Sequence, residues 1–285
     1  MLEWKKIVRL VVPIVFCLMM VIGVMGNGIL IYIVLANKCM KNVPNILIVT
    51  LSIGDLMMLI VSVPFVAVLF TVNEYPFNNL VCKANQYLQT FSMAVSIFIL
   101  TTLSGNRYVA VAYPLSKHKG KSTLKIVITV TMIWILSALL AIPDSVSFHT
   151  DAIPTAHNAS IQICRAYPPE WESWYPKAHS MFRFITLFVI PLIIIGIFYC
   201  LMARILVKST RQLPVESTIN SAMTQQQQRQ IEARVKAANF KVVLMFVVLF
   251  VICWLPRHIY LIGFTGQMTH ISISFGTFSK SFHTV

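Results

Sequence analysis

The feature that most constrains this chain is repeated: long stretches of apolar residues that carry one charged side chain apiece. Six can be drawn, at 7–35, 46–70, 84–112, 124–142, 184–207 and 242–264. The hydrocarbon core of a bilayer is about 30 Å thick, and roughly 20 apolar residues in a helix cross it. A soluble core offers no reason for that length to recur. Composition agrees, with 57% hydrophobic and 11% charged residues and a mean hydropathy of +0.77, where soluble domains carry about a quarter charged. The expectation is an all-α integral membrane protein, with a helix bundle over 1–264 and a short tail over 265–285. The first stretch does not read as a cleaved signal peptide. Its apolar run is too long, no small-residue cleavage site closes it, and Asn27 sits inside it between Gly26 and Gly28.

A formal net charge of +14 raises nucleic acid as a partner, but the placement of the charge argues for a lipid bilayer. Lys38 and Lys41 follow the first stretch, Arg107, Lys117, Lys119, Lys121 and Lys125 lie between the third and fourth, and Arg204, Lys208, Arg211, Arg229, Arg234, Lys236 and Lys241 between the fifth and sixth. These segments share one side, which the positive-inside rule makes cytoplasmic. The opposite segments hold Glu74, Asp144, Asp151, Glu170 and Glu172. The N-terminus is therefore expected outside, although Lys5, Lys6 and Arg9 pull the other way.

Topology then sorts the cysteines. Cys17, Cys200 and Cys253 fall inside apolar stretches and Cys39 faces the basic side, which leaves Cys82 and Cys164 on the oxidising face. They are expected to form a disulfide that pins the long loop 144–178 over the mouth of the bundle. The same loop carries Asn158-Ala159-Ser160, a glycosylation acceptor on the right side. The segment between the fifth and sixth stretches includes a glutamine run at 225–228 and reads as a helical extension into water. No P-loop, dinucleotide glycine motif, zinc-ligand spacing or nucleophile elbow occurs, so an enzyme is not expected.

Polar groups and prolines at membrane depth are costly and mark packing or function. Asp55 stands mid-stretch and needs a partner, a proton or a cation, and Asn27 and Ser96 lie at comparable depths. A protonated aspartate with a packing role is the alternative. Pro191 and Pro256 each remove a backbone donor and offer a point of bending. Trp254, two residues before Pro256, places an indole at that bend, or is simply core.

Taken together, Gly26-Asn27, LSIGD ending at Asp55, Cys82, SGNRYVAVAYPL at 104–115, Trp134, Pro191, Tyr199 and FVICWLP at 250–256 resemble, in order and spacing, the rhodopsin-like (class A) G-protein-coupled receptors. KNVPNILIVTLSIGDL, VPF and CWLPRHIY are most similar to the neuropeptide branch with the bombesin and CCHamide receptors. The resemblance implies a class A helix bundle, of whose seven transmembrane helices six are visible here. It implies Arg107, Tyr108 and Tyr199 at the G-protein-coupling end, Pro191, Phe250, Trp254 and Pro256 as the activation switch, and a polar network of Asn27, Asp55 and Ser96 with sodium as an allosteric ion at Asp55 and Ser96. No other cofactor is implied.

Where amine receptors carry an aspartate this chain has Gln89, so the implied ligand is an extracellular peptide, amidated, contacted by Gln89, Arg257 and His258. Implied partners are a heterotrimeric G protein, arrestin and the bilayer, with no nucleic acid, and the implied location is the plasma membrane. Two departures stand out. Asn106 replaces the acid that precedes the arginine in relatives, with Lys236 offering no substitute anion, so Arg107 is expected to be loosely restrained. The seventh helix with its Asn-Pro is not visible after Phe264, while FGTFSKSF at 275–282 is similar to the segment that follows that helix. An incomplete form, a non-signalling decoy or dominant-negative partner, and a six-helix transporter or channel are the alternatives.

Overall fold

The computed structural model describes residues 2–72, 74–113, 122–154, 160–171 and 174–211, and beyond them 244, 245, 248, 251, 252, 254–256 and 259. Helix α1 runs Leu2–Ala36, α2 Val43–Met57, α3 Val63–Thr71, α4 Asn79–Ala112, α5 Ser122–Ser147, α6 Trp174–Phe184 and α7 Ile190–Arg211. Among the described residues, five continuous helical tracts are long and apolar enough to cross a membrane: Arg9–Ala36, Val43–Thr71, Asn79–Ala112, Leu124–Ser147 and Trp174–Ile205. The described residues of the stretch 242–264 are helical as well. The glutamine run at 225–228 and the tail 265–285 lie outside the described residues.

Local chemistry sets the boundaries. Asn42 caps α2, its side-chain oxygen accepting from the Asn45 N–H at 3.1 Å, with Pro44 in the first turn where a missing donor costs nothing. Asn78 does the same for α4, accepting from the Val81 N–H at 3.0 Å. Two tracts contain a π turn, Met58–Ser62 between α2 and α3 and Ile185–Val189 between α6 and α7. Each ends just before a proline, Pro64 or Pro191. Proline cannot donate to the carbonyl one turn back, and a single wider turn re-routes the bonds around that gap. The bend expected at Pro191 is thus a π turn, and the one before Pro64 was not anticipated from the sequence.

The segment at 144–178 is more ordered than the loop expected there. Helix α5 continues through Pro143 to Ser147, and the Ser147 hydroxyl donates to the Pro143 carbonyl at 2.6 Å. Strands β1, Phe148–Pro154, and β2, Ser160–Ala166, follow as an antiparallel hairpin, with Thr150 opposite Cys164. Its tip, 155–159, lies outside the described residues, and Asn158 with it. Tyr167 closes the base in the left-handed region at φ 65, its N–H donating to the Ser147 carbonyl at 2.8 Å. One sequence reading is corrected here. Asp144 is not an acid of an aqueous loop; it is fully buried in α5, because the helix runs one turn past its apolar window and β1 follows directly from it.

The chain forms two compact units, Met1–Leu100 with His118–Trp171 and Thr101–Lys117 with Glu172–Val285. In the first, Phe65, Tyr75 and Cys82 form the centre of an apolar cluster joined by Phe77, Phe148 and Cys164 among others. The second holds the end of α4 that carries Arg107, together with α6 and α7.

Candidate functional site

In the first unit the hairpin is tied to the helices. Cys82 in α4 and Cys164 in β2 are disulfide-bonded across 82 residues of sequence. The hairpin is held at two more points: the Tyr75 N–H donates to the Gln162 carbonyl at 2.9 Å, and the Asn79 side chain accepts from the Thr150 N–H at 3.0 Å. Phe65, Tyr75 and Phe77 pack as an aromatic triad with ring centres 5.4 to 6.0 Å apart. Burial pushes the Tyr75 phenol above its ordinary value of 10.0. Asp151 on β1 pairs with Arg165 on β2 at 3.1 Å. With Asp144 buried and Asp151 paired, Glu74 and Glu170 are the exposed acids described near this hairpin.

Deeper in the same unit the Ser96 hydroxyl donates to Asp55 Oδ1 at 2.9 Å. Gly54 makes the approach possible. A β-carbon there would stand 3.3 Å from both Ser96 Oγ and Val95 Cγ1, and small residues are what let membrane helices come this close. Two of the three predicted network residues are therefore in contact. Asn27 is turned onto its own helix, its amide donating to the Gly23 carbonyl at 2.8 Å. A carboxylate and a hydroxyl are hard oxygen donors of the kind a small cation takes. Gln89, the predicted ligand contact on α4, is buried.

In the second unit Gly105, two residues before Arg107, lets Phe198 of α7 come close, since a β-carbon at Gly105 would lie 3.2 Å from that ring. Tyr108 stacks on the same Phe198 with ring centres 5.7 Å apart, and the neighbouring Tyr199 is buried. Arg107 is half-buried beside them in sequence. Pro191 is fully buried, Trp254 is half-buried and Pro256 is exposed. Phe250, Arg257 and His258 lie outside the described residues, as does Lys236.

Sequence reading missed one constellation. Tyr175, His179 and Arg183 recur every fourth residue on α6 and so share one face. His179 and Arg183 are 7% and 8% exposed, and the Tyr175 and His179 rings lie 5.9 Å apart. An arginine is rarely buried unless it is paired. Its signal was the four-residue spacing, hidden because the apolar window that defined this span began at 184.

A family model described as "7 transmembrane receptor (rhodopsin family)" matches residues 26–282. The chain belongs to this family. It is a multi-pass membrane receptor, not an enzyme. It is 37% identical over 259 residues to the neuropeptide CCHamide-1 receptor of Drosophila melanogaster, covering 89% of this chain and 50% of that protein. It is 35% identical over 258 residues to bombesin receptor subtype-3 of Ovis aries, covering 89% of this chain and 62% of that protein. The chain thus spans between half and two thirds of the length of these relatives.

Proposed function

We propose that this receptor carries an extracellular peptide signal, from an amidated peptide, to a heterotrimeric G protein at the plasma membrane, with its N-terminus outside. What supports the reading is that two receptors named for peptides match it along most of its length. In this reading the disulfide-held hairpin is the outer lid. Gln89, Arg257 and His258 contact the peptide. Bending at Pro191 and Pro256, with Phe250 and Trp254 moving beside the latter, exposes Arg107, Tyr108 and Tyr199 to the G protein and then to arrestin. A sodium ion at Asp55 and Ser96 favours the resting arrangement, since it binds that arrangement's oxygen pair. Asn106, neutral where relatives carry an acid, restrains Arg107 less, so basal signalling is raised.

The experiment is nucleotide exchange on purified G protein, driven by the full chain in nanodiscs and a panel of amidated bombesin-like and CCHamide-like peptides. One amidated peptide should raise the exchange rate while its free-acid form does not. A well-expressed chain that binds none of the peptides and drives no exchange contradicts the reading. Asn106→Asp should lower the peptide-free rate; an unchanged rate removes the claim about Arg107.

A further inference from the structure

The hairpin carries a charged cluster that its tethers do not use. Side chains alternate along a strand, so His149 and Asp151 on β1 share one face, and Arg165, directly opposite His149 in the register, shares it with them. The tethers attach at Thr150, Gln162 and Cys164, which take the other face, as does Phe148 in its apolar cluster. Asp151 reaches diagonally across the ladder to Arg165 at 3.1 Å, both side chains partly open to water. His149 is half-buried. Its Nδ1 is buried with no hydrogen-bond partner among the described residues, and so is Arg165 Nε. The other ionisable groups on the adjoining elements are Asp144, fully buried in α5, Tyr75 in the cluster on the opposite face, Glu74 next to Tyr75, and Lys83 next to Cys82 in α4. Of all these, the imidazole is the group whose ordinary charge change falls between pH 5 and 8.

A neutral imidazole suits this arrangement, since it sets no charge against Arg165 and leaves Asp151 to the guanidinium. A protonated one does not. It carries an N–H on both ring nitrogens, so one donor would be buried unbonded and lose its hydration. It would also stand as a second cation directly across the ladder from Arg165, and like charges at opposed positions destabilise a strand pair. One movement relieves both conflicts: the ring turns to Asp151, two residues along on its own face, and takes the carboxylate from Arg165. The ion pair that joins the two strands is then lost. We propose that the hairpin holds a proton-operated latch, in which protonation of His149 draws Asp151 from Arg165 and loosens β1 from β2. The proton comes from water to a ring nitrogen, and only hydrogen bonds are exchanged. The inference does not depend on which ligand the receptor answers to.

The test is amide hydrogen exchange of the full chain in nanodiscs at pH 7.5 and 5.5, read by mass spectrometry as protection factors so that the pH dependence of chemical exchange cancels. Between the two, protection over 148–154 and 160–166 should fall about threefold, the scale of a like-charge pair placed across a ladder, while protection over 90–100 in α4 stays constant. His149→Gln should abolish the fall by removing the group that titrates. Arg165→Gln should abolish it too, because a protonated His149 then takes Asp151 with no cation opposed to it. The unaltered chain provides a test that does not depend on either variant folding: constant hairpin protection, or an equal fall in α4, would overturn the proposal. So would a fall of undiminished size in well-folded His149→Gln, since the proton would then act elsewhere.

Discussion

The first and third spans are both long and apolar, yet they have opposite relations to the rest of the protein. The first is the more apolar, but none of its most apolar window is buried, and Ile22 and Tyr32 are 71% and 73% exposed. The third carries Asn85, Gln89, Thr90, Ser92 and Ser104 and is 67% buried over the same length. In water this order would be inverted. In a bilayer the lipid is as apolar as leucine, so hydropathy no longer drives helices together, and close packing and polar contacts do. Of these two helices the one with the weaker hydropathy is therefore the buried one, and the more apolar one presents its surface outward.

The comparison breaks most readily at the bond that anchors the buried span. Closing a loop of 82 residues by a disulfide is worth about 4–5 kcal/mol in the chain-entropy account. Cys82→Ser and Cys164→Ser should thus each cause a large drop in thermal stability in detergent, and the double variant should fall no further than either alone. Next, matched truncations sharpen it. Ile99→Ala in the third span, at a position with no exposure, should cost about 2 kcal/mol through the cavity it leaves. Ile22→Ala in the first should cost less than about 0.5 kcal/mol, and equal losses at the two positions would end the distinction.

Smaller effects follow at the polar contacts. Ser96→Ala removes the hydroxyl from Asp55, and Gly54→Ala presses on it; each should cost about 1 kcal/mol, the usual worth of an interhelical hydrogen bond in a membrane. Both should weaken any sodium dependence of ligand affinity. Smallest is Tyr75→Phe. The Tyr75 hydroxyl is buried with no hydrogen-bond partner among the described residues, so removing it should be near neutral at pH 7. Its phenol titrates above 10.0 in the folded lid. The neutral form is then favoured by folding, a contribution present below pH 10 and lost as pH rises through the higher folded value. Tyr75→Phe should blunt that alkaline loss in a pH series of unfolding curves.

What could be read without the structure follows the same physics. Bilayer thickness writes itself into chain length, so the apolar stretches stand out, and sidedness sorts the cysteines until Cys82 and Cys164 are left. Asp55 was legible because charge is rare at depth. What stayed hidden depends on features that hydropathy does not carry. The hairpin is set by backbone pairing and three external tethers rather than by alternation. The π turns answer to Pro64 and Pro191 through carbonyls that no side-chain pattern marks. Asp144 and the His179 and Arg183 pair lie beyond apolar windows, in helical turns that continue past them.

All of this requires that the lid and the basic loops lie on opposite sides of the bilayer. Single cysteines introduced as Glu74→Cys and Lys121→Cys, treated in intact cells with a membrane-impermeant maleimide and read against the unsubstituted chain, test that directly. Labelling at position 74 without permeabilisation, and at 121 only after it, is the predicted result; labelling of 121 in intact cells would contradict it.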